Sequence, residues 1–240
     1  MTRLAQKAAF FTTIGLLTAA AAMAGVPNAG QSNLNNGCSL LAGCTQEGVL
    51  LLSGQNSGGT VDPLGEKQVL VKDAAGNPVA NSVVIVNFST CYSGGDVRIS
   101  STQPFAGLTV NCGAHTVSAT TNASGIAVMR IEGYSNVTSS TAAGAGEGCA
   151  TVTADGVPLG SYSVGDADFN GALGGSNLGV GGGDTVLYTG NRFGGAGAYR
   201  PRANLARSSG TQVIDGGDTV IYTKFRFNGG STTNGASACP

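Results

Sequence analysis

Oxygen-bearing side chains alternate along Asp166-Ala167-Asp168-Phe169-Asn170-Gly171. Side chains at the first, third and fifth positions of such a run converge on a hard cation, and the following glycine permits the sharp turn of a calcium loop. In a standard twelve-residue loop the closing carboxylate falls at residue 177, which is Asn177. Asp184 closes the loop if residues 173–179 form an inserted bulge. The candidate calcium ligands are therefore Asp166, Asp168, Asn170 and, on that condition, Asp184. A second stretch in similar register, Asn204, Ala206 and Ser208 with Asp215 or Asp218 downstream, is too poor in oxygens to count as an equal site.

Other chemistry has less support. The chain has no nucleophile elbow, metalloprotease helix or phosphate loop. The glycine-rich residues 179–183 lack a following Gly-Lys-Ser/Thr, and Asp184 would repel an anion. Acids are too thinly spread for a glycosidase pair. The one histidine, His115, sits in a polar stretch and is expected to face solvent or make a structural bond. Tyr188 and Tyr222 could stack on sugars, but helix packing with the hydroxyl reaching water is the simpler expectation. The chain is read as a non-enzyme.

The elements that hold these residues follow from composition. Forty of 240 residues are glycine, 10% are charged and none is tryptophan. That excludes a helical bundle or coiled coil, and the glycines lack the period of collagen. A net charge of −1 leaves no basic footprint for nucleic acid.

Residues 1–24 read as a secretory signal. Arg3 and Lys7 lead an apolar run from Ala8 to Ala22, and Ala22-Met23-Ala24 supplies a small-x-small cleavage pattern before Gly25. The mature chain is expected to be secreted, extracellular or on the cell surface, with the periplasm also open, and to have no stable membrane span. In that setting Cys38, Cys44, Cys91, Cys112, Cys149 and Cys239 are read as disulfides. Six cysteines allow fifteen pairings. Local spacing favours Cys38–Cys44 and Cys91–Cys112, which leaves Cys149–Cys239 by elimination.

Residues 25–37, rich in Asn, Gly and Ser, read as a flexible lead-in. Period-two runs then dominate to about residue 164. Val84, Val86 and Phe88 share one face, as do Ala127, Met129 and Ile131, with Val117/Ala119 and Val152/Ala154 as shorter pairs. Asp155-Gly156 is a tight hairpin signal. Such runs between Gly, Asn, Asp and Pro turns indicate a mainly β antiparallel sandwich. The residues Val71, Asp73, Gly76, Asn77, Pro78, Val79, Val84, Val86, Phe88, Thr121, Gly125 and Ala127 resemble the bacterial immunoglobulin-like repeats of invasin-type surface proteins. The resemblance implies an immunoglobulin-like domain over residues 38–164.

Past Val164 the chain repeats itself. Residues 182–193 recur as 216–227 with nine of twelve positions identical. Asp184 and Asp218 open two short helices, where a carboxylate complements the helix dipole. Val186, Leu187 and Phe193, and likewise Val220, Ile221 and Phe227, are expected to form apolar stripes that pack the helices on each other. With the Asp-x-Asp-x-Asn-Gly run ahead of it, this duplication over residues 165–228 resembles a degenerate dockerin, leaving residues 229–240 as a tail. The resemblance implies two calcium-loop/helix units and a cohesin-like partner. Gly182-Gly183 and Gly216-Gly217 depart from the hydroxyl pair that the family uses for cohesin recognition.

The expectation is an exported, non-enzymatic surface or matrix protein, with an immunoglobulin-like spacer or adhesion domain and a calcium-stabilised attachment module. Its partner is a cohesin-like or surface protein, or a glycan. The alternatives are a carbohydrate-binding accessory module and a self-assembling filament subunit, that is, a homo-oligomer.

Overall fold

A computed structural model describes residues 25–36, 48–52, 65–92, 97–135, 148–166, 182–193, 203–205, 214–227 and 239–240. The expected signal and the Cys38–Cys44 pair lie outside these residues. The chain is mainly β. Its strands are β1 (Val49–Leu52), β2 (Glu66–Leu70), β3 (Val83–Asn87), β4 (Val97–Ile99), β5 (Thr109–Asn111), β6 (Thr116–Thr120), β7 (Ile126–Arg130), β8 (Gly133–Ser135), β9 (Ala150–Ala154) and β10 (Val157–Asp166). The helices are short: α1 (Ser89–Tyr92), α2 (Gly182–Phe193) and α3 (Gly216–Phe227). No helix among the described residues is long and apolar enough to cross a membrane.

Alternation along the strands builds the core. Val84, Val86 and Phe88 point inward, as do Val117, Ala127, Met129, Ile131, Val152 and Ala154, and all are buried in one apolar cluster. Six strands form a mixed sheet in the order β1-β10-β9-β3-β6-β5, while β2 pairs with β7 and β4 with β8. On the outer side of the β2–β7 ribbon Arg130 forms an ion pair with Glu66 at 2.6 Å. One pairing departs from an antiparallel plan, since β1 runs parallel to β10. Its sequence Val49-Leu50-Leu51-Leu52 does not alternate because both faces are covered: Leu50 and Leu52 enter the main cluster, Val49 and Leu51 a second one.

The turns follow their residue types. Asp155 and Gly156 both take positive φ, 47° and 81°, and close the β9–β10 hairpin. Asp73 caps its own turn, its Oδ1 accepting the N–H groups of Ala75 and Asn77 at 2.9 Å. Buried Thr121 accepts the Ser82 N–H and donates to the Val79 carbonyl. Gly125 lies where the two turns meet, its carbonyl accepting the Val71 N–H.

Both remaining cysteine pairings differ from expectation. Cys91 is bonded to Cys149 and Cys112 to Cys239. The reason is sheet order, which spacing along the chain does not reveal. Strand β3 pairs with β9 (Asn87 opposite Thr151), so Cys91 just after β3 and Cys149 just before β9 sit side by side. Cys112 follows the edge strand β5 and is met by the returning C-terminus, where the Cys239 N–H bonds the Ile99 carbonyl. His115 is structural, as expected. It stacks on Tyr92 with centroids 3.8 Å apart, and its Nε2 lies 2.9 Å from the Pro240 carbonyl oxygen. The two disulfides among the described residues fit a secreted or extracellular protein.

Candidate functional site

The two copies of the repeat are the two twelve-residue helices, with the bounds the sequence repeat gives them. They pack on each other through a reciprocal contact. The Tyr188 and Tyr222 rings stack with parallel planes and centroids 4.3 Å apart. The Tyr188 hydroxyl lies 2.8 Å from Thr219 Oγ1, and the Tyr222 hydroxyl 2.9 Å from Thr185 Oγ1. Thr185 and Thr219, like Tyr188 and Tyr222, are equivalent positions of the repeat. The contact therefore has a pseudo-twofold axis between the rings, and the same two residue types satisfy it from both sides. The hydroxyls reach a threonine of the other helix and not water, which corrects the expectation for them. Burial pushes the Tyr188 phenol up to about 12, with Asp218 adding to the effect against the bond from Thr219. The ring thus stays neutral through the range in which it must share a proton with Thr219.

The helical pair sits on the sheet. Tyr188, Ile221, Tyr222 and Phe225 join Ala203, Leu205 and Ile214 against Val49 and Leu51 of β1. A Cβ on Gly165 of β10 would come within 2.8 Å of Leu51 Cδ2 and 3.3 Å of Leu205 Cδ2, so these leucine side chains would have to shift to admit one.

The facing of each helix corrects the expected apolar stripe. The buried residues are Asp184, Tyr188 and Asn191 in α2, and Asp218, Ile221, Tyr222 and Phe225 in α3. Val186 and Phe193 are 72% and 71% exposed, and Val220 and Phe227 51% and 77%. Positions 184, 188 and 191 follow the i, i+4, i+7 rule and turn inward together. Val186 and Phe193, seven residues apart, then line up on the opposite side, and the repeat imposes the same on Val220 and Phe227. Arginines lie over the terminal rings, Arg192 over Phe193 at 5.0 Å and Arg226 over Phe227 at 5.6 Å. Of the expected stripes only Ile221 and the partly buried Leu187 face the core, so the pair turns one carboxylate of each helix inward beside its aromatic and aliphatic core residues and leaves a further apolar stripe on each helix outward.

Of the four candidate ligands, two are described. Asp166 ends β10 and Asp184 lies in the first turn of α2, and both are buried. They flank the second apolar cluster, through neighbouring Gly165 and Tyr188 respectively. Asp168 and Asn170 fall outside the described residues. No group of three His, Cys, Asp or Glu side chains among the described residues is placed to hold a metal.

In the second copy the carboxylates cap the helix. Asp215 Oδ1 accepts the Gly217 N–H, while Asp218 Oδ2 accepts the Asp215 N–H at 2.6 Å. This is a reciprocal cap at the start of α3, and the spacing Asp-x-x-Asp was its signal in the sequence. The equivalent of Asp215 in the first copy is Gly181, which has no side chain to take that part.

Removing one hydroxyl tests the twofold contact. Tyr188→Phe and Tyr222→Phe should each cost about 1 kcal/mol and lower Tm by roughly 2–4 °C. Tyr188→Phe should couple to Thr219→Val but not to Thr185→Val in a double-mutant cycle read by thermal unfolding. Equal coupling to both threonines would contradict the pairing.

Comparison with family models, curated proteins and solved structures returns no match for this chain.

Proposed function

We propose that the protein is an exported, non-enzymatic surface or matrix component whose immunoglobulin-like β-domain carries a dockerin-like attachment module. The observation that supports this most is the second apolar face of α2 and α3. A helix pair that serves only as a lid keeps its large apolar residues on the inner side, whereas this one also presents Val186, Phe193, Val220 and Phe227 to solvent. The repeat keeps both exposed types in both copies, with an arginine beside each phenylalanine. The occupant that suits such a surface is a folded protein with an apolar patch rimmed by acids.

Calcium has a supporting role in this reading. Asp166, Asp168 and Asn170 supply the first half of a loop, and Asp184 closes it. Buried carboxylates need a cation or several donors, and both Asp166 and Asp184 are buried. Calcium bound there would tie the end of β10 to the start of α2. One site of this kind, in the first copy, is the reading that the chemistry of the donors supports.

The experiment is capture from culture supernatant by the immobilised full chain, compared with a variant carrying Val186→Glu, Phe193→Glu, Val220→Glu and Phe227→Glu. A captured protein that is lost both with this variant and with EDTA supports attachment. Capture indifferent to both changes, or none at all, rejects it. Sugar binding is the weaker alternative, because the Tyr188 and Tyr222 rings are buried against each other.

A further inference from the structure

The segment ahead of the first strand is polar, yet it is bound closely to the sheet. The Asn28 N–H bonds the Lys72 carbonyl, Asn33 exchanges both backbone bonds with Leu70, and the Asn36 N–H bonds the Gln68 carbonyl. Residues 28–36 thus run along the edge of β2 that β7 leaves open. Side chains secure the far end: Lys67 Nζ donates to Asn35 Oδ1 at 2.9 Å, the Tyr162 hydroxyl donates to the Leu34 carbonyl, and Gly160 leaves the room that Leu34 fills.

The near end stops at a carboxylate. Asp73 is 2% exposed, and the groups that hold it are neutral amides: the N–H of Asn77, its Nδ2 at 3.2 Å, the N–H of Ala75 and the N–H of Gly25. Residues 25–36 contain no ionisable side chain, and Asp73 is the only one in the turn from 73 to 79. Lys72, whose backbone N–H and carbonyl bond Ser32 and Asn28, is the adjoining cation of this corner. Gly25 is also the residue that follows Ala22-Met23-Ala24. Two independent features, a cleavage pattern and an anionic oxygen, therefore meet at one nitrogen atom.

We propose that removal of the leader after Ala24 creates the ligand for a preformed site: the new α-ammonium of Gly25 docks on the Asp73 carboxylate and clasps residues 25–36 onto the edge of β2. This rests on the export reading given above. A leader peptidase adds water across the Ala24–Gly25 peptide bond. Hydroxyl goes to the Ala24 carbonyl carbon, hydrogen to the Gly25 nitrogen, and the amine then takes a proton from solvent. A neutral amide donor to the carboxylate becomes a cationic one, so the contact becomes an ion pair as well as a hydrogen bond. The processed chain closes its own sheet edge more firmly than the precursor does, and an open edge is the place where a second chain would add.

The pH signs differ for the two partners. The bonds to Asp73, foremost that from the Asn77 N–H, hold its carboxyl below the usual 3.8, so its contribution is present above that range and lost as pH falls through the lowered value. The ammonium gains an anionic partner, so its contribution is complete below the ordinary α-amine range of about 7.7–8.0 and is lost as pH rises beyond it.

The test is to express the full chain with its leader, identify the N-terminus of the exported protein by mass spectrometry, and measure the rate at which its α-amine is acylated at pH 7.5. Asp73→Asn is one comparison. A glycine inserted between Ala24 and Gly25, which moves the amine without touching the turn, is the second and is independent of whether Asp73→Asn folds. The expected result is an N-terminal Gly25 acylated roughly six- to eightfold more slowly than the amine of either variant, the fall in free-base fraction at pH 7.5 that a rise of about one pKa unit gives. The insertion should also lower Tm by roughly 2–4 °C at pH 7 and by less at pH 10. An N-terminal Gly25 as reactive as the inserted variant overturns the clasp and leaves export standing. A different N-terminus, or a retained leader, overturns the processing step and the clasp with it.

Discussion

Replacing Cys112 and Cys239 by serine is expected to lower stability by about 3–5 kcal/mol, which for a chain of this size is a fall in Tm on the order of 10 °C or more. The bond spans 127 residues of sequence, and closing so long a loop restricts the unfolded chain more than a short bridge does. Its loss should also free the C-terminus, undoing the bond from Cys239 to the Ile99 carbonyl and the contact of Pro240 with His115. Disulfide mapping of the unreduced protein should give linked peptides for Cys91–Cys149 and Cys112–Cys239. Peptides joining Cys91 to Cys112 would contradict the strand order, because β9 and not β5 is the neighbour of β3.

Gly125→Ala is the single substitution expected to be most damaging to the β-domain. The residue has a φ of 73°, and a Cβ there would stand 2.6 Å from the Val71 carbonyl oxygen, 3.0 Å from Pro78 Cβ and 3.1 Å from the Val79 nitrogen. Two of those atoms are backbone and cannot turn aside. Left-handed strain of about 1–2 kcal/mol adds to an overpacking cost of about 1–3 kcal/mol, so Tm should fall by roughly 5–15 °C. Gly156→Ala is the matched control. Its φ is 81°, but no atom lies within 4 Å of the added carbon. Thermal unfolding should show a loss at Gly156 limited to the strain alone. Equal losses at both sites would mean that the two turns do not meet at Gly125.

How far the sequence could be read depends on how local each feature is. Val84, Val86 and Phe88 face the core because alternation is a property of the strand itself, and Asp155-Gly156 turns because those residues tolerate positive φ. The bounds of α2 and α3 were legible from the repeat. Partner choice was not. The pairing of Cys91 with Cys149 depends on β9 lying next to β3, which no spacing encodes. Strand β1 is parallel to β10 and buried on both faces, and a four-residue apolar run states neither fact. Val186 and Phe193 face outward although both are apolar, so hydrophobicity alone does not mark the inner face of α2. The i, i+4, i+7 set Asp184, Tyr188 and Asn191 held the answer, but its polar members disguised it. Residues 25–36 show no periodicity because their attachment runs through backbone groups and asparagine side chains.

The candidate site divides in the same way. Asp166 and Asp184 are legible as candidates from residue type alone, whereas their burial depends on the fold. The reciprocal Asp215–Asp218 cap starts α3, and it was present in the sequence as a spacing. The stacking of Tyr188 on Tyr222 needed the fold, since two distant helices had to be brought face to face.

The proposed calcium site, linking Asp166 at the end of β10 to Asp184 in the first turn of α2, is the claim of the account that a single measurement reaches most directly. Thermal unfolding of the full chain in EDTA and in 10 mM calcium tests it most directly. A site with Kd near 1 mM is then occupied at about ten times its Kd, which stabilises the folded form by about 1.4 kcal/mol. Tm should rise by roughly 3–6 °C, and Asp184→Asn should abolish the rise. Superimposable unfolding curves with and without calcium would contradict the account.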